Sequence, residues 1–145
     1  MIVSFDANIL VYMLDPEAGE RHAMAARIVA DFALTGGAIL SLQAASETAN
    51  ALRRKRVPPP TIRAAVGRLR DGFEIVPAQD DDLDDALWAV ERHKLAFWDA
   101  MLWATCRRAG CSVLFTEDFQ DGRTLKGLRF VNPFAPKNAR YLPKA

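Results

Sequence analysis

Apolar positions along the chain follow two rhythms. Short unbroken runs rich in branched and aromatic residues, "IVSF" (2–5), "AILSL" (38–42), "FEIV" (73–76), "SVLFT" (112–116) and "LRFV" (128–131), have the length and make-up of buried strands. Between them apolar residues recur every three to four positions, the period of an amphipathic helix. Ala25, Val29, Phe32 and Ala33 mark a helix over about 20–34, and Gly36-Gly37 stops it. Residues 43–55 read as a second helix, ended by "RVPPP". Ile62, Val66 and Leu69 mark a third, closed by Gly72; Leu83, Leu87 and Val90 mark a fourth; a fifth runs from Trp98 to Arg108 and ends at Gly110.

Strands separated by helices predict right-handed crossovers and an α/β fold, with a mostly parallel central sheet flanked by helices on both faces. The sequence has no internal repeat and no linker long enough to divide it, so residues 1–134 read as one domain and 135–145, "APKNARYLPKA", as a basic surface tail. At 145 residues the chain can bury a substantial core without disulfides or a structural metal. Cys106 and Cys111 are too few for a disulfide framework or a zinc finger, and fit reduced thiols. No stretch approaches the roughly 20 apolar residues of a membrane span. The amino terminus lacks a basic leader, so a cytoplasmic location is expected. The net charge of +1 excludes a global basic field for nucleic acid, but not a local contact.

Against this pattern Asp6 is out of place, a carboxylate within the apolar opening "MIVSFDANILVYMLD". In a parallel α/β sheet, ligands bind at the carboxyl ends of the strands. Asp6 directly follows the first strand, and Asp118 follows "SVLFT" by two residues. Glu47 lies in the first turns of the helix after the second strand, and Asp99 in the first turn of the helix leading into "SVLFT". Four scattered acids are thereby predicted to converge on one edge. Clustered carboxylates repel and lose hydration, a conflict that a divalent cation resolves. Oxygen-only donors suit Mg²⁺ or Mn²⁺, and the absence of Cys or His near them argues against zinc. Each acid alone also has a plain structural reading: Asp6 as a cap of the next turn, Asp99 as an acid stabilised at a helix N-terminus.

Other charged runs carry less. Arg54, within "RRKR" (53–56), lies seven residues from Glu47 on about the same helix face; a phosphate contact there competes with an ordinary solvated helix end. "DDDLDDALWAVE" (80–91) spaces acids like a calcium loop, but Asp85 stands where such a loop needs Gly, so an acid-rich helix start is the better reading. Trp88, Trp98 and Trp103 are candidates to stack on bases, but Trp88 and Trp103 lie within amphipathic helices and read as core or dimer-contact residues.

The same residues carry a family resemblance. "SFDANILVY", "LQAASETAN", "LAFWDAMLWATCRRAGCSVLFTEDFQDG" and "RFVNPF", in that order, resemble the motifs of PIN domains, nearest to the VapC-type ribonuclease toxins of bacterial toxin–antitoxin pairs, over roughly residues 1–134. One departure is Ala7, where the family commonly has Thr or Ser. The resemblance implies a single PIN-like domain and an endoribonuclease that cleaves RNA (tRNA, rRNA or mRNA) with Mg²⁺ or Mn²⁺, leaving 5′-phosphate and 3′-hydroxyl ends. It implies Asp6 and Asp99 as direct metal ligands. Glu47 and Asp118 would then hold a second ion or a water, with Glu117 and Asp121 as neighbours able to assist or replace Asp118. It implies that Asn8 orients Asp6 or a substrate phosphate, and it sets Thr116, the small hydroxyl residue before the fourth acid, among the substrate-binding group. A cognate antitoxin, which inserts a basic side chain among the acids, and a homodimer are implied as well. Two rivals stand beside this reading. One is a catalytically silent PIN-like interaction module. The other is a haloacid-dehalogenase-type phosphatase, which needs an acid where Asn8 stands.

Overall fold

The computed structural model describes residues 1–144. Six strands and six α-helices alternate: β1 (Val3–Phe5), α1 (Ala7–Leu14), α2 (Glu20–Thr35), β2 (Ile39–Ser41), α3 (Leu42–Arg54), α4 (Pro59–Gly72), β3 (Glu74–Val76), α5 (Asp80–His93), α6 (Phe97–Arg108), β4 (Val113–Phe115), β5 (Thr124–Leu125) and β6 (Leu128–Val131). Short 3-10 helices cover Pro16–Ala18 and Pro136–Tyr141. The central sheet has the order β1-β4-β6-β5, with β1, β4 and β6 parallel and β5 antiparallel to β6. Strands β2 and β3 form a parallel pair that adjoins β1 through a Val3–Ala38 bridge. The Ser4 hydroxyl, buried at that seam, donates to the Ile39 carbonyl at 2.7 Å.

The predicted α/β architecture with a mostly parallel, helix-flanked sheet is the one observed. The five strand runs and five helical stretches appear within a few residues of their predicted bounds. Local chemistry sets the boundaries. Ser41 caps α3 by accepting from the Ala44 N–H, and Pro59 opens α4 where its missing N–H has no helical partner to lose. An aromatic cluster packs where β1 and β4 pair: Phe5 stacks on Phe115 at 5.5 Å and meets Phe32 and Phe73 edge-on. Trp103 is fully buried, and its indole N–H donates to the Leu125 carbonyl. Each such side chain contributes about 1.5–3 kcal/mol of transfer free energy.

Three features differ from the sequence reading. The apolar run after Asp6 is a helix, α1, whose all-round apolarity hides its period: only Ala7, Ile9 and Leu10 are buried. The pair β5–β6 adds a hairpin whose turn residues, Lys126 and Gly127, both have positive φ, the geometry of a two-residue type I′ turn. And the stripe Leu83, Leu87, Val90 marks a helix without marking its core face. Leu83 and Leu87 are exposed, and Asp82, Ala86 and Ala89 point inward. Asp82 tolerates burial because Arg108 grips it at 2.8 Å and 3.0 Å, Thr105 donates to it at 3.0 Å and the Gln79 N–H at 2.9 Å. Burial pushes its carboxyl up, but these partners outweigh it and hold the group below the usual range.

Candidate active site

Strand β1 ends at Phe5, and the chain turns at Asp6 into α1. The Asp6 side chain caps that helix, Oδ1 accepting from the Ala7 N–H at 2.7 Å. Its other oxygen, Oδ2, accepts from the Thr116 hydroxyl at 2.8 Å. The parallel register of β1 and β4 pairs Phe5 with Phe115, so the residues that follow, Asp6 and Thr116, emerge side by side. Thr116 Oγ in turn accepts from the Asp118 N–H at 3.1 Å. One buried hydroxyl thus ties the first acid to the loop that carries the fourth.

A cavity of about 470 Å³ opens at this edge, and Asp6, Asn8, Glu47, Arg54 and Asp118 line it together with Tyr12. Five of the predicted site residues therefore meet at one place. Asp99, in the first turn of α6, stands outside that lining but within its field. Burial raises its carboxyl pKa, and the charges of Asp118 and Glu47 raise it further. The Asp6 carboxyl is only 6% exposed, and its pKa is raised to about 6. Desolvation is the main cause; the bonds from Thr116 and Ala7 oppose it, and Asp118 and Glu47 add to it. The site is an acid cluster held under electrostatic tension.

One residue beside it is not what the sequence alone indicated. Thr116, expected among the substrate-binding residues, is 1% exposed, and Asp6 and Asp118 engage its hydroxyl; it positions acids and does not face the cavity. Asp118 is singled out from its acidic neighbours. Glu117 is bonded to Arg21 at 2.9 Å. Asp121 accepts from the Asn132 N–H and the Asn138 amide and pairs with Lys137, anchoring the 3-10 helix of the tail to the domain. Of the three, Asp118 alone lines the cavity.

Two contributors escaped the sequence reading. Tyr12 lines the cavity four residues after Asn8 on α1, and the Glu117 carboxylate beside it raises its hydroxyl pKa. Recognising α1 as a helix would have put both residues on one face. Gln43 donates from one amide nitrogen to Glu47 Oε1 at 2.8 Å and to the Trp98 carbonyl at 2.9 Å. Its signal was the spacing of four from Glu47 on a predicted helix.

Whether these residues suit a divalent ion is decided by their chemistry. The donors are all carboxylate oxygens, and burial together with the neighbouring Asp118 and Glu47 raises the pKa values of Asp6 and Asp99. Asn8 carries a buried amide whose oxygen and nitrogen have no partner, an arrangement that costs about 1–3 kcal/mol unless a ligand engages it. Among the described residues no three acids are gathered tightly enough to chelate an ion directly. Mg²⁺ takes hard oxygen donors and keeps several of its own waters, so it does not need three carboxylates in direct contact. The residues fit such an ion.

A comparison with protein families matches the PIN domain over residues 3–121, most of the chain, so the protein belongs to the PIN domain family. Its fold is similar to that of VapC20 from Mycobacterium tuberculosis, described as a sarcin-ricin loop cleaving toxin. The identity is 22% and the TM-score 0.62, over 80% of this chain and 89% of that one. It is similar to a toxin–antitoxin complex from Klebsiella pneumoniae (22% identity, TM-score 0.65, 91% and 98% covered). It is also similar to VapBC2 from Rickettsia felis, bound to a DNA fragment from its promoter (12% identity, TM-score 0.64, 90% and 97% covered). At these identities the likeness is one of fold. No curated protein sequence matches the chain. The resemblance read from the four acid motifs is borne out at the level of the family, with VapC toxins among its structural neighbours. Among the described residues no helix is long and apolar enough to cross a membrane.

Proposed function

We propose that this chain is a divalent-metal-dependent endoribonuclease, the toxin of a type II toxin–antitoxin pair. The observation that carries the reading is the meeting of Asp6, Glu47 and Asp118, from three separate sequence motifs, in one cavity whose charges also reach Asp99. Asp6 and Asp99 would hold Mg²⁺ or Mn²⁺, with Glu47 and Asp118 on a second ion or a water. When bound, the ion supplies an activated water and neutralises charge on the phosphoryl oxygens.

The protein's own residues do the rest. Thr116 holds Asp6 in one orientation and favours its ionised form, the form that binds a cation. Gln43 fixes Glu47. Arg54, the cation in the cavity lining, would bind a phosphate of the RNA, and the unpartnered amide of Asn8 would bond Asp6 or the substrate. A basic side chain of an antitoxin, entering the same cavity, would satisfy the acids and silence the enzyme. The toxin–antitoxin complexes among the structural neighbours support that partner. A homodimer is expected from the family. The phosphatase reading loses its support at Asn8, which cannot donate the proton that chemistry needs.

The test is cleavage of total RNA by partner-free protein with Mg²⁺ or Mn²⁺, beside Asp6→Asn and Asp99→Asn, with the new 5′ ends sequenced. Discrete cuts that EDTA and both substitutions abolish are expected. Equal inertness of all three proteins, with no metal binding by calorimetry, would leave the catalytically silent module as the better description.

A further inference from the structure

A second, smaller cavity of about 270 Å³ lies beside the acid cavity, lined by Gln43, Ser46, Glu47 and Trp98. Glu47 belongs to both. Trp98 is 64% exposed, unusual for the largest apolar side chain, and its neighbour Phe97 braces it edge-on at 5.0 Å. Its backbone is also held: the Gln43 amide that bonds the Trp98 carbonyl is the one that bonds Glu47. The ring is therefore a supported platform, fixed relative to the acids.

We infer that Trp98 is the stacking platform for an unpaired nucleobase of single-stranded RNA flanking the scissile phosphate. The inference rests on the nuclease reading given above. The acid cavity repels the phosphate backbone, and the protein's net charge of +1 offers no general attraction to offset this. Stacking on an aromatic face is uncharged, so it adds affinity where charge cannot, and it tolerates any base. The cavity is below the roughly 300–1,000 Å³ of drug-sized sites and matches one planar ring. The surface it exposes is mostly apolar, as a flat ring stacking on an indole requires. A strand crossing from one cavity to the other would lie over Glu47, with its base on Trp98 and its phosphate toward Arg54.

The test uses the full chain with octamers of A, U or C, and the exposed position makes the substitutions safe for folding. In the cleavage-silent Asp6→Asn background, RNA is expected to quench tryptophan emission, and the quench should vanish in Asp6→Asn/Trp98→Phe, which assigns it to Trp98. Labelled-RNA anisotropy should show Trp98→Ala weakening binding by about 5- to 150-fold, with Trp98→Phe restoring most of it. In the otherwise wild-type enzyme, Trp98→Ala should lower kcat/KM by a similar factor, mainly through KM. Unchanged affinity and cleavage in Trp98→Ala, with an active wild type, would overturn the stacking site and leave the nuclease intact. A quench by RNA without any metal-dependent cleavage would do the reverse. If Trp98→Ala left RNA binding unchanged but abolished self-association in sedimentation, the surface would be a protein interface and the inference wrong.

Discussion

The Thr116 hydroxyl donates to Asp6 Oδ2 at 2.8 Å, joining residues 110 positions apart at the end of two paired parallel strands. That bond opposes the desolvation that lifts the Asp6 pKa to about 6. Thr116→Val should therefore raise the pKa further and weaken metal affinity. At neutral pH it should also cost about 1–3 kcal/mol of stability, because a buried carboxylate loses a donor. Thr116→Ser should restore all three. Carbon-detected NMR titration of Asp6 and denaturant unfolding measure the two effects.

Asp6 makes the free protein less stable as pH rises. Its folded pKa, about 6, lies above the 3.8 of an ordinary Asp, so between those values the folded state binds more protons than the unfolded one. Its contribution is neutral below the lower value, falls through the window, and reaches a penalty of about 3 kcal/mol above the upper one. Asp6→Asn should remove the penalty. It should stabilise the metal-free protein by up to about 3 kcal/mol near pH 7.5 and by about half as much near pH 5. Urea unfolding of both proteins in EDTA tests this, and a gain that does not grow with pH would contradict it.

Asp118, unlike Glu117 and Asp121, lines the cavity, which makes it the candidate for the fourth acid of the site. Asp118→Asn should lower cleavage by about 10²-fold or more, while Glu117→Gln should leave it within a few-fold. Asp121→Ala should leave the chemistry intact but cost about 1–3 kcal/mol of stability, since it strips the Asn132 N–H and Asn138 amide of their acceptor. Single-turnover cleavage and thermal unfolding separate the two roles.

Arg54 should act through charge alone. Arg54→Ala is expected to raise KM for RNA with little change in kcat, and to reduce the slope of log affinity against log salt by about 1. Binding measured over a salt series distinguishes this from a loss of folding.

Arg108, partly exposed, pairs with the buried Asp82 at the α5–α6 contact, far in role from the acid cavity. Arg108→Ala should destabilise the protein by about 3–5 kcal/mol by leaving a buried carboxylate unpaired. The loss should be larger at neutral than at acid pH, because the Asp82 pKa is held low in the folded state and its stabilisation disappears as pH falls.

Much of this protein was legible in its sequence because the relevant signals are local. The two hydrophobic patterns identified five of the six strands and five of the six helices, and the order of elements dictated a mostly parallel sheet. The place of each acid just after a strand or early in a helix then indicated the carboxyl edge. What remained hidden depends on partners distant in sequence. The helix α1 sets just Asn8 and Tyr12 among apolar residues, too few polar positions to betray its period. Leu83 and Leu87 look like core residues until packing turns Ala86 and Ala89 inward and gives the buried Asp82 an arginine partner. Glu117, Asp118 and Asp121 are equivalent as letters within "TEDFQDG". Only the approach of Arg21, Asn132, Asn138 and Lys137 engages two of them and leaves Asp118 at the cavity. The sequence alone determined which side chains are available and which elements carry them, because residue type and period are written in it. Tertiary structure decided which acids meet at one cavity and which are engaged elsewhere, because desolvation and hydrogen bonding depend on neighbours that only the folded chain brings together.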